Sequence, residues 1–318
     1  MKAIRFAEFG GPEVLRLEEI ATPVPGPREV LIGIEAASVT PGDWKLRAGW
    51  LTQIFPVTLP CVPGRDGAGI VIAAGDLVDY VHIGDAVCFV AERTVQGSYA
   101  ENIVRDAQSI VPMPPILSFA QGAALMHAGT CAWILLTQFV QLQPRQKVLV
   151  HAGAGAIGGM AVQLARHFGA YVAATCNSRN AAYVHSLGAD CVVAYDQLNF
   201  AEHLHDFDVV LDLVGGEVHR RSYPVLKKGG SLIFLQAEPI KDRSAEFDVR
   251  VVPAQINDSL DALAAVMDLA LNGILVPQVS RIMPVAEVAE AHRLMQANEN
   301  SRGRVIIDIR GGASRCPG

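Results

Sequence analysis

The segment KVLVHAGAGAIGGMAVQLARHFGA, residues 147–170, constrains the fold more than any other part of the chain. KVLVHA is an apolar run of strand length. The following turn carries Gly153, Gly155 and Gly158, and AIGGMAVQLARHFGA has helical spacing and ends at Gly169. A strand that passes through a glycine turn into a helix opens a βαβ unit, and the G-x-G-x-x-G spacing is that of a dinucleotide-binding turn. Gly153 permits the tight turn, Gly155 lets the backbone approach a pyrophosphate, and Gly158 lets helix and strand pack closely. The helix N-terminus then offers free N–H groups and a partial positive charge to the phosphates. The candidate cradle is Gly153, Ala154, Gly155, Ala156, Ile157 and Gly158.

The rhythm continues through YVAATC (strand), NAAYVHSLGA (helix closed by Gly188), and the strands CVVAYD, FDVVLDLVG, GSLIFLQ and VRVVPAQI. Continuous Val/Ile/Leu runs alternating with helices imply a doubly wound parallel sheet covered on both faces. Upstream, EVLIGIEAASV, GAGIVIAAG, HIGDAVCFV and GSYAENIVRD read as short strands with glycine-centred turns, and prolines cluster at 23–27 and 56–63. The two textures meet near Leu117, where SFAQGAALMHAGTCAWILLTQF reads as a helix capped by Ser118 and broken around Gly129. Its apolar core approaches membrane-spanning length, but His127, Gln138 and upstream prolines favour a buried helix joining two domains. Near the end, QVSRIMPV, the helix AEVAEAHRLMQAN and the strand RVIIDI return to the first domain. The expected division is 1–120 with 274–312, then 121–273, with 313–318 a flexible tail.

With 318 residues the chain suits two domains, and a net charge of −6 argues against nucleic-acid and anionic-membrane surfaces. The six cysteines have no CxxC spacing, which fits reduced thiols in the cytoplasm. The N-terminus lacks the apolar stretch of a signal peptide.

A dinucleotide turn of this kind is usually followed, about twenty residues on, by an acid that grips the ribose. Here no Asp or Glu follows until Asp190, and the loop after the second strand is CNSRN. Asn177 and Ser178 can donate to phosphate oxygens, and Arg179 can form a charge-assisted fork. The reading is a cationic, carboxylate-free pocket for the 2′-phosphate of NADPH; the plain alternative is that Arg179 is a solvated helix-start residue.

FGGPEVLRLEE (9–19), TPGDWKLRAG (40–49), PGRDGAGIV (63–71), the glycine turn, SLGAD (186–190) and FDVVLDLVGG (207–216) appear in this order along nearly the whole chain. Together they resemble the medium-chain dehydrogenase/reductase superfamily, and most closely its zinc-independent, zeta-crystallin-like quinone oxidoreductase branch. The resemblance implies an α/β fold made of a GroES-like β-barrel catalytic domain and a Rossmann domain, with the active site between them. It also implies a homodimer, through an edge strand of the Rossmann sheet. By motif order, the catalytic zinc ligands of related alcohol dehydrogenases fall here on Thr40, Arg65 and His127. A hydroxyl, a guanidinium and one imidazole do not supply the three donors zinc needs. The four-cysteine structural-zinc lobe is also missing. Cys131 stands where the family often has a Thr touching nicotinamide, and it reads equally as a small buried hydrophobe. Tyr195 matches a family Tyr near the adenosine phosphate, and Val214 completes the cofactor set.

Without a metal, the substrate must already be electrophilic, as quinones and α,β-unsaturated carbonyls are. The nicotinamide supplies hydride and the protein supplies position and a dry cleft. Candidate donors to the developing oxyanion are Thr40 and Lys45, with Arg47 behind them, though Asp43 and Arg47 can also simply pair. His127 reads as a cleft residue or as a packed imidazole. Trp44, Trp50 and Phe55 read as a platform for a flat substrate or as core. An enoyl-thioester reductase, a zinc-type alcohol dehydrogenase and a non-catalytic NADPH-binding sensor remain as alternatives.

Overall fold

The computed structural model describes residues 1–91, 96–235, 240–300 and 302–317. Two compact units make up the chain. Residues 1–127, 259–271 and 277–318 form the first, and residues 128–258 with 272–276 the second. In chain order the first segment carries β1 (Lys2–Arg5), β2 (Arg16–Glu19), β3 (Glu29–Val39), α1 (Pro41–Arg47), β4 (Asp66–Ala74), β5 (Ala86–Val90), β6 (Asn102–Asp106), β7 (Ile110–Pro112) and α2 (Phe119–Ile134). The βαβ segment carries β8 (Lys147–Val150), α3 (Ala156–His167), β9 (Tyr171–Cys176), α4 (Ala181–Ser186), β10 (Cys191–Ala194), α5 (Phe200–His203), β11 (Phe207–Asp212), α6 (Gly216–Ser222), β12 (Leu226–Phe234), α7 (Ser244–Phe247) and β13 (Arg250–Pro253). The last segment adds α8 (Leu260–Leu271), β14 (Val279–Pro284), α9 (Val288–Gln296) and β15 (Arg304–Asp308).

In the first unit the main sheet runs β14-β15-β3-β4-β5-β7, with β6 also on β3. Its pairings are antiparallel except β14–β15. The β-branched and aromatic residues of successive strands, among them Ile32, Ile34, Val87, Phe89, Ile103 and Ile307, meet in one core. Each such side chain contributes about 1.5–3 kcal/mol on full burial.

The second unit is a parallel sheet in the order β10-β9-β8-β11-β12-β13. The strand order reverses between β8 and β11, and the crevice beyond the carboxyl ends of those two strands is where such sheets bind ligands. Val148, Leu149, Val150, Val210, Leu211 and Leu232 are all fully buried. Parallel strands reach that burial only when both faces are covered, which is why they read as unbroken apolar runs.

Four sequence expectations meet a different outcome. α2 is not broken at Gly129: it runs unbroken to Ile134 and widens into a π-helical turn at Leu135–Phe139. A glycine costs a helix about 1 kcal/mol, and the buried neighbours Leu125, Met126, Ala128 and Thr130 outweigh that. Ser118 does cap the helix, with Gln121 N donating to Ser118 Oγ at 3.3 Å and Ser118 N to Gln121 Oε1 at 2.9 Å. The stretch Phe119–Phe139 is long and apolar enough to cross a membrane, and 83% of its most apolar window is buried.

The segment expected to be a flexible tail from 313 is tied down. Phe119 N donates to Arg315 O at 3.0 Å and Ala120 N to Ala313 O at 2.7 Å, so two orphan amides of α2 find carbonyls there. α8, placed by the sequence with the parallel sheet, belongs to the first unit, where it packs on β7. The boundary between the units falls after His127 rather than at 120.

Candidate functional site

β8 delivers the chain to the reversal point of the sheet, where His151 N still pairs with Leu211 O of β11 at 3.0 Å. The backbone then turns sharply. The left-handed residue in this turn is Ala152, at φ 55°, and not Gly153, to which the sequence assigned the tight turn. Gly153 serves packing instead: a Cβ there would stand 2.8 Å from Ala174 Cβ on β9. Gly158 is demanded most strictly, because its Cβ would lie 2.1 Å from Ala152 O. At Gly155 a Cβ would press on one neighbour, the backbone oxygen Ala152 O at 3.2 Å, with no other atom close by. No side chain caps α3 at Gly155. The leading amides of α3, in Ala156, Ile157 and Gly158, are the orphan donors of any helix start, and they carry the positive end of its dipole. A glycine turn at uncapped helix amides can take a phosphate group, and the residues fit a dinucleotide.

On the other side of the reversal, Asp212 ends β11 and is wholly buried. Its Oδ1 accepts from Val214 N at 2.9 Å and Gly215 N at 2.8 Å, and its Oδ2 faces His219 Nδ1 at 2.9 Å. Arg243 N donates to Tyr223 OH at 3.3 Å, which leaves the tyrosine proton for His219 Nε2, also at 3.3 Å. That assigns the His219 proton to Nδ1, toward the carboxylate. Burial raises the Asp212 pKa, but the bonds from His219, Gly215 N and Val214 N outweigh it and hold the carboxyl below its usual range. Val214 itself is 46% exposed beside this anchor. His151 forms a second buried link, with Thr175 Oγ1 at 2.9 Å and Ser222 Oγ at 3.0 Å. Burial is the main cause that lowers its pKa to about 4, so it is neutral at pH 7. Sequence reasoning missed Asp212, His151 and His219. The available signal was polar residues at the carboxyl ends of apolar strands.

The loop after β9 differs from its sequence reading in one respect. Asn177 Oδ1 accepts from Arg179 N at 3.2 Å and shapes the turn, and Arg179 is exposed. Asp190, the first acid in sequence after the glycine turn, lies at the opposite end of the strands. There it accepts from Val172 N at 2.8 Å and pairs with Arg166 at 3.1 Å. But the loop is not carboxylate-free. Asp196 accepts from Ser178 N at 2.8 Å and from Ser178 Oγ at 2.6 Å. It arrives there because β10 lies beside β9 in parallel register, Ala194 opposite Cys176, and Tyr195 N extends the pairing to Cys176 O at 3.0 Å. Tyr195 is 58% exposed on the same edge.

The remaining candidates lie in other elements. Cys131 is buried on α2, and His127 is half-buried on the same helix. In the first unit Thr40 precedes α1. Its N donates to Asp43 Oδ2 at 2.7 Å, and its buried side chain faces the Asp43 amide in a capping box. Lys45 Nζ stands 5.8 Å from the Trp44 ring centroid. Trp44 and Trp50 meet edge to face at 5.0 Å, with Trp44 buried and Trp50 66% exposed. Phe55 is half-buried in the following turns. Arg47 is wholly buried and donates to Gln296 Oε1 of α9 at 2.9 Å, which takes it away from the edge where Thr40 and Lys45 sit.

Residues 26–115 match the family described as "Alcohol dehydrogenase GroES-like domain", and residues 187–307 match "Zinc-binding dehydrogenase". The donors do not fit the metal in that second description: Thr40, Arg65 and His127 offer one imidazole. Among the described residues, no three His, Cys, Asp or Glu side chains gather as a metal-holding group. A quinone-oxidoreductase homolog from the chloroplast of Spinacia oleracea is 39% identical over 201 residues, a match spanning 61% of each chain. A mycobacterial protein solved in complex with NADPH is 27% identical over 97% of this chain and 100% of that one, with a TM-score of 0.87. The solved quinone oxidoreductase of Coxiella burnetii is 32% identical, with a TM-score of 0.88, over 98% of this chain and 99% of its own. At that identity over nearly its whole length, the chain belongs to the quinone oxidoreductase branch of the medium-chain dehydrogenase/reductase superfamily.

Proposed function

We propose that the chain is an NADPH-dependent oxidoreductase that reduces quinones or α,β-unsaturated carbonyl compounds without a catalytic metal. The observation that carries the reading is the glycine turn at the head of α3, in a chain alike end to end to a quinone oxidoreductase. The amides of Ala154, Ala156, Ile157 and Gly158 hold the pyrophosphate, Gly155 N being bonded to Ala152 O at 2.9 Å, and the Asp212-anchored turn with Val214, together with Cys131, takes the nicotinamide. Tyr195, Asn177, Ser178 and Arg179 line the adenosine end, Arg179 facing the 2′-phosphate and the Ser178 donors turned to Asp196. The bound, reduced nicotinamide supplies a hydride. Thr40 Oγ1 and Lys45 Nζ are the donors assigned to the substrate oxygen as it gains charge, and His127 is a further polar group for the same end. The Trp44–Trp50 pair, with Phe55, presents apolar surface to a flat substrate. Solvent provides the proton that completes a quinol or a saturated carbonyl product.

The proposal extends to a cytoplasmic homodimer joined through an edge strand of the parallel sheet, with a solution mass of twice 34.0 kDa. Oxidation of NADPH and NADH is to be followed with naphthoquinone, simple enones, a crotonyl thioester and a secondary alcohol. Turnover with quinone or enone, faster with NADPH, is expected. Thioester turnover alone points to an enoyl-thioester reductase, and zinc-stimulated alcohol turnover to the metal enzyme. Cofactor binding with no turnover on any substrate points to a sensor.

A further inference from the structure

Cofactor choice in this fold is decided where the second strand of the sheet ends, and here two opposite charges meet there. Arg179 is exposed, and one residue before it Ser178 gives both its donors, N and Oγ, to Asp196. We infer that Asp196 is a specificity-determining residue that opposes Arg179, weakening NADPH and favouring NADH by occupying Ser178 and placing an anion beside the 2′ position. The inference rests on the proposed nicotinamide-cofactor reading.

A 2′-phosphate carries close to two negative charges at pH 7. To reach the Ser178 donors it must displace a carboxylate that already holds them in short bonds, and the displaced charge stays beside it. A free ribose 2′-hydroxyl meets the reverse situation, since it can donate to the same carboxylate. The Ser178 hydroxyl bond, above all, keeps Asp196 below the usual carboxylate range, with help from Ser178 N and the Arg179 charge, so the anion is present at neutral pH. The acid usual after the second strand of this fold is supplied here from beyond the third.

The test is a titration of the full chain with NADPH and with NADH, for wild type, Asp196→Asn, Asp196→Ala and Asp196→Asn with Ser178→Ala. Each Asp196 variant is expected to tighten NADPH about tenfold, the size of one charge-assisted hydrogen bond. NADH stays within about twofold or weakens. The Ser178→Ala partner is expected to remove most of the gain, since the freed hydroxyl is what the phosphate recovers. An unchanged NADPH-to-NADH ratio, or an equal change for both, overturns the inference. The wild-type ratio by itself tests the NADPH reading: a wild type that prefers NADH sinks that reading, while the shift on removing Asp196 still decides this one.

Discussion

His219 Nδ1 lies 2.9 Å from Asp212 Oδ2, both side chains wholly enclosed, while the other carboxylate oxygen holds the amides of Val214 and Gly215. One residue at the end of β11 therefore sets the backbone of the turn beside the candidate nicotinamide position. The histidine keeps that residue charged and oriented. Tyr223 and the amide of Arg243 continue the chain of bonds away from the turn.

Asp212→Ala strips three donors of their acceptor at once. Leaving such a buried group unpaired costs about 3–5 kcal/mol, whereas Asp212→Asn keeps the shape and loses about 1–3 kcal/mol. Urea unfolding at pH 7.5 gives both values. The same variants are expected to weaken cofactor binding, because the 213–216 turn loses its anchor. A stable Asp212→Ala protein with unchanged cofactor affinity contradicts this account.

The glycine turn yields a pair of opposite expectations. Gly158→Ala drives a methyl to within 2.1 Å of Ala152 O, a backbone atom with no room to yield. It is expected to destabilise the chain by about 1–3 kcal/mol and to lower cofactor affinity by moving α3 off the turn. Ala152→Gly relieves a left-handed alanine at φ 55° and is expected to be neutral or to stabilise by up to about 1 kcal/mol. Thermal melts of the two variants in parallel settle the contrast.

Acid is expected to weaken the fold through two buried imidazoles. Burial, with the Arg47 charge adding to it, lowers His292 to about 3, and burial lowers His151 to about 4. Neither His292 ring nitrogen has a hydrogen-bond partner among the described residues. In the unfolded chain both titrate near the usual value of about 6.5. The unfolded state therefore takes up protons first as the pH falls, and the contribution present above about 6.5 declines below it. At pH 5 the loss is about 2 kcal/mol for each histidine. Asp212, held below its usual range, adds its own loss only at lower pH. Unfolding midpoints at pH 7.5 and 5.0 measure the slope. His292→Phe, which keeps the ring contact with Tyr99 (5.7 Å between centroids), is expected to make the slope shallower.

Arg179→Ala is expected to weaken NADPH about tenfold and leave NADH within about twofold. The effect is expected to shrink as salt rises from 0.05 to about 0.5 M, since the side chain is exposed and screened. An equal loss for both cofactors removes Arg179 from its assigned place. Titrations at two ionic strengths read the difference.

Local chemistry was legible along the chain because it acts over a few residues. The apolar runs of β8, β9 and β11 announced buried parallel strands, Ser118 announced a helix start, and the 153–158 spacing announced a turn that must approach its own helix. What depends on neighbours distant in sequence was not legible. Gly129 reads as a helix breaker until the side chains packed around α2 are known, and residues 313–315 read as loose until α2 offers them its amides.

The primary structure alone determined the two kinds of sheet and the position of the glycine turn that opens α3, because periodicity and glycine sterics are properties of a short stretch of backbone. Only the tertiary structure decided the charge in the loop after β9 and the support behind Val214. Asp196 meets Ser178 because β10 lies beside β9, and His219 meets Asp212 because α6 folds back on the end of β11. Those are facts of sheet order and packing, which the spacing of residues along a chain does not contain.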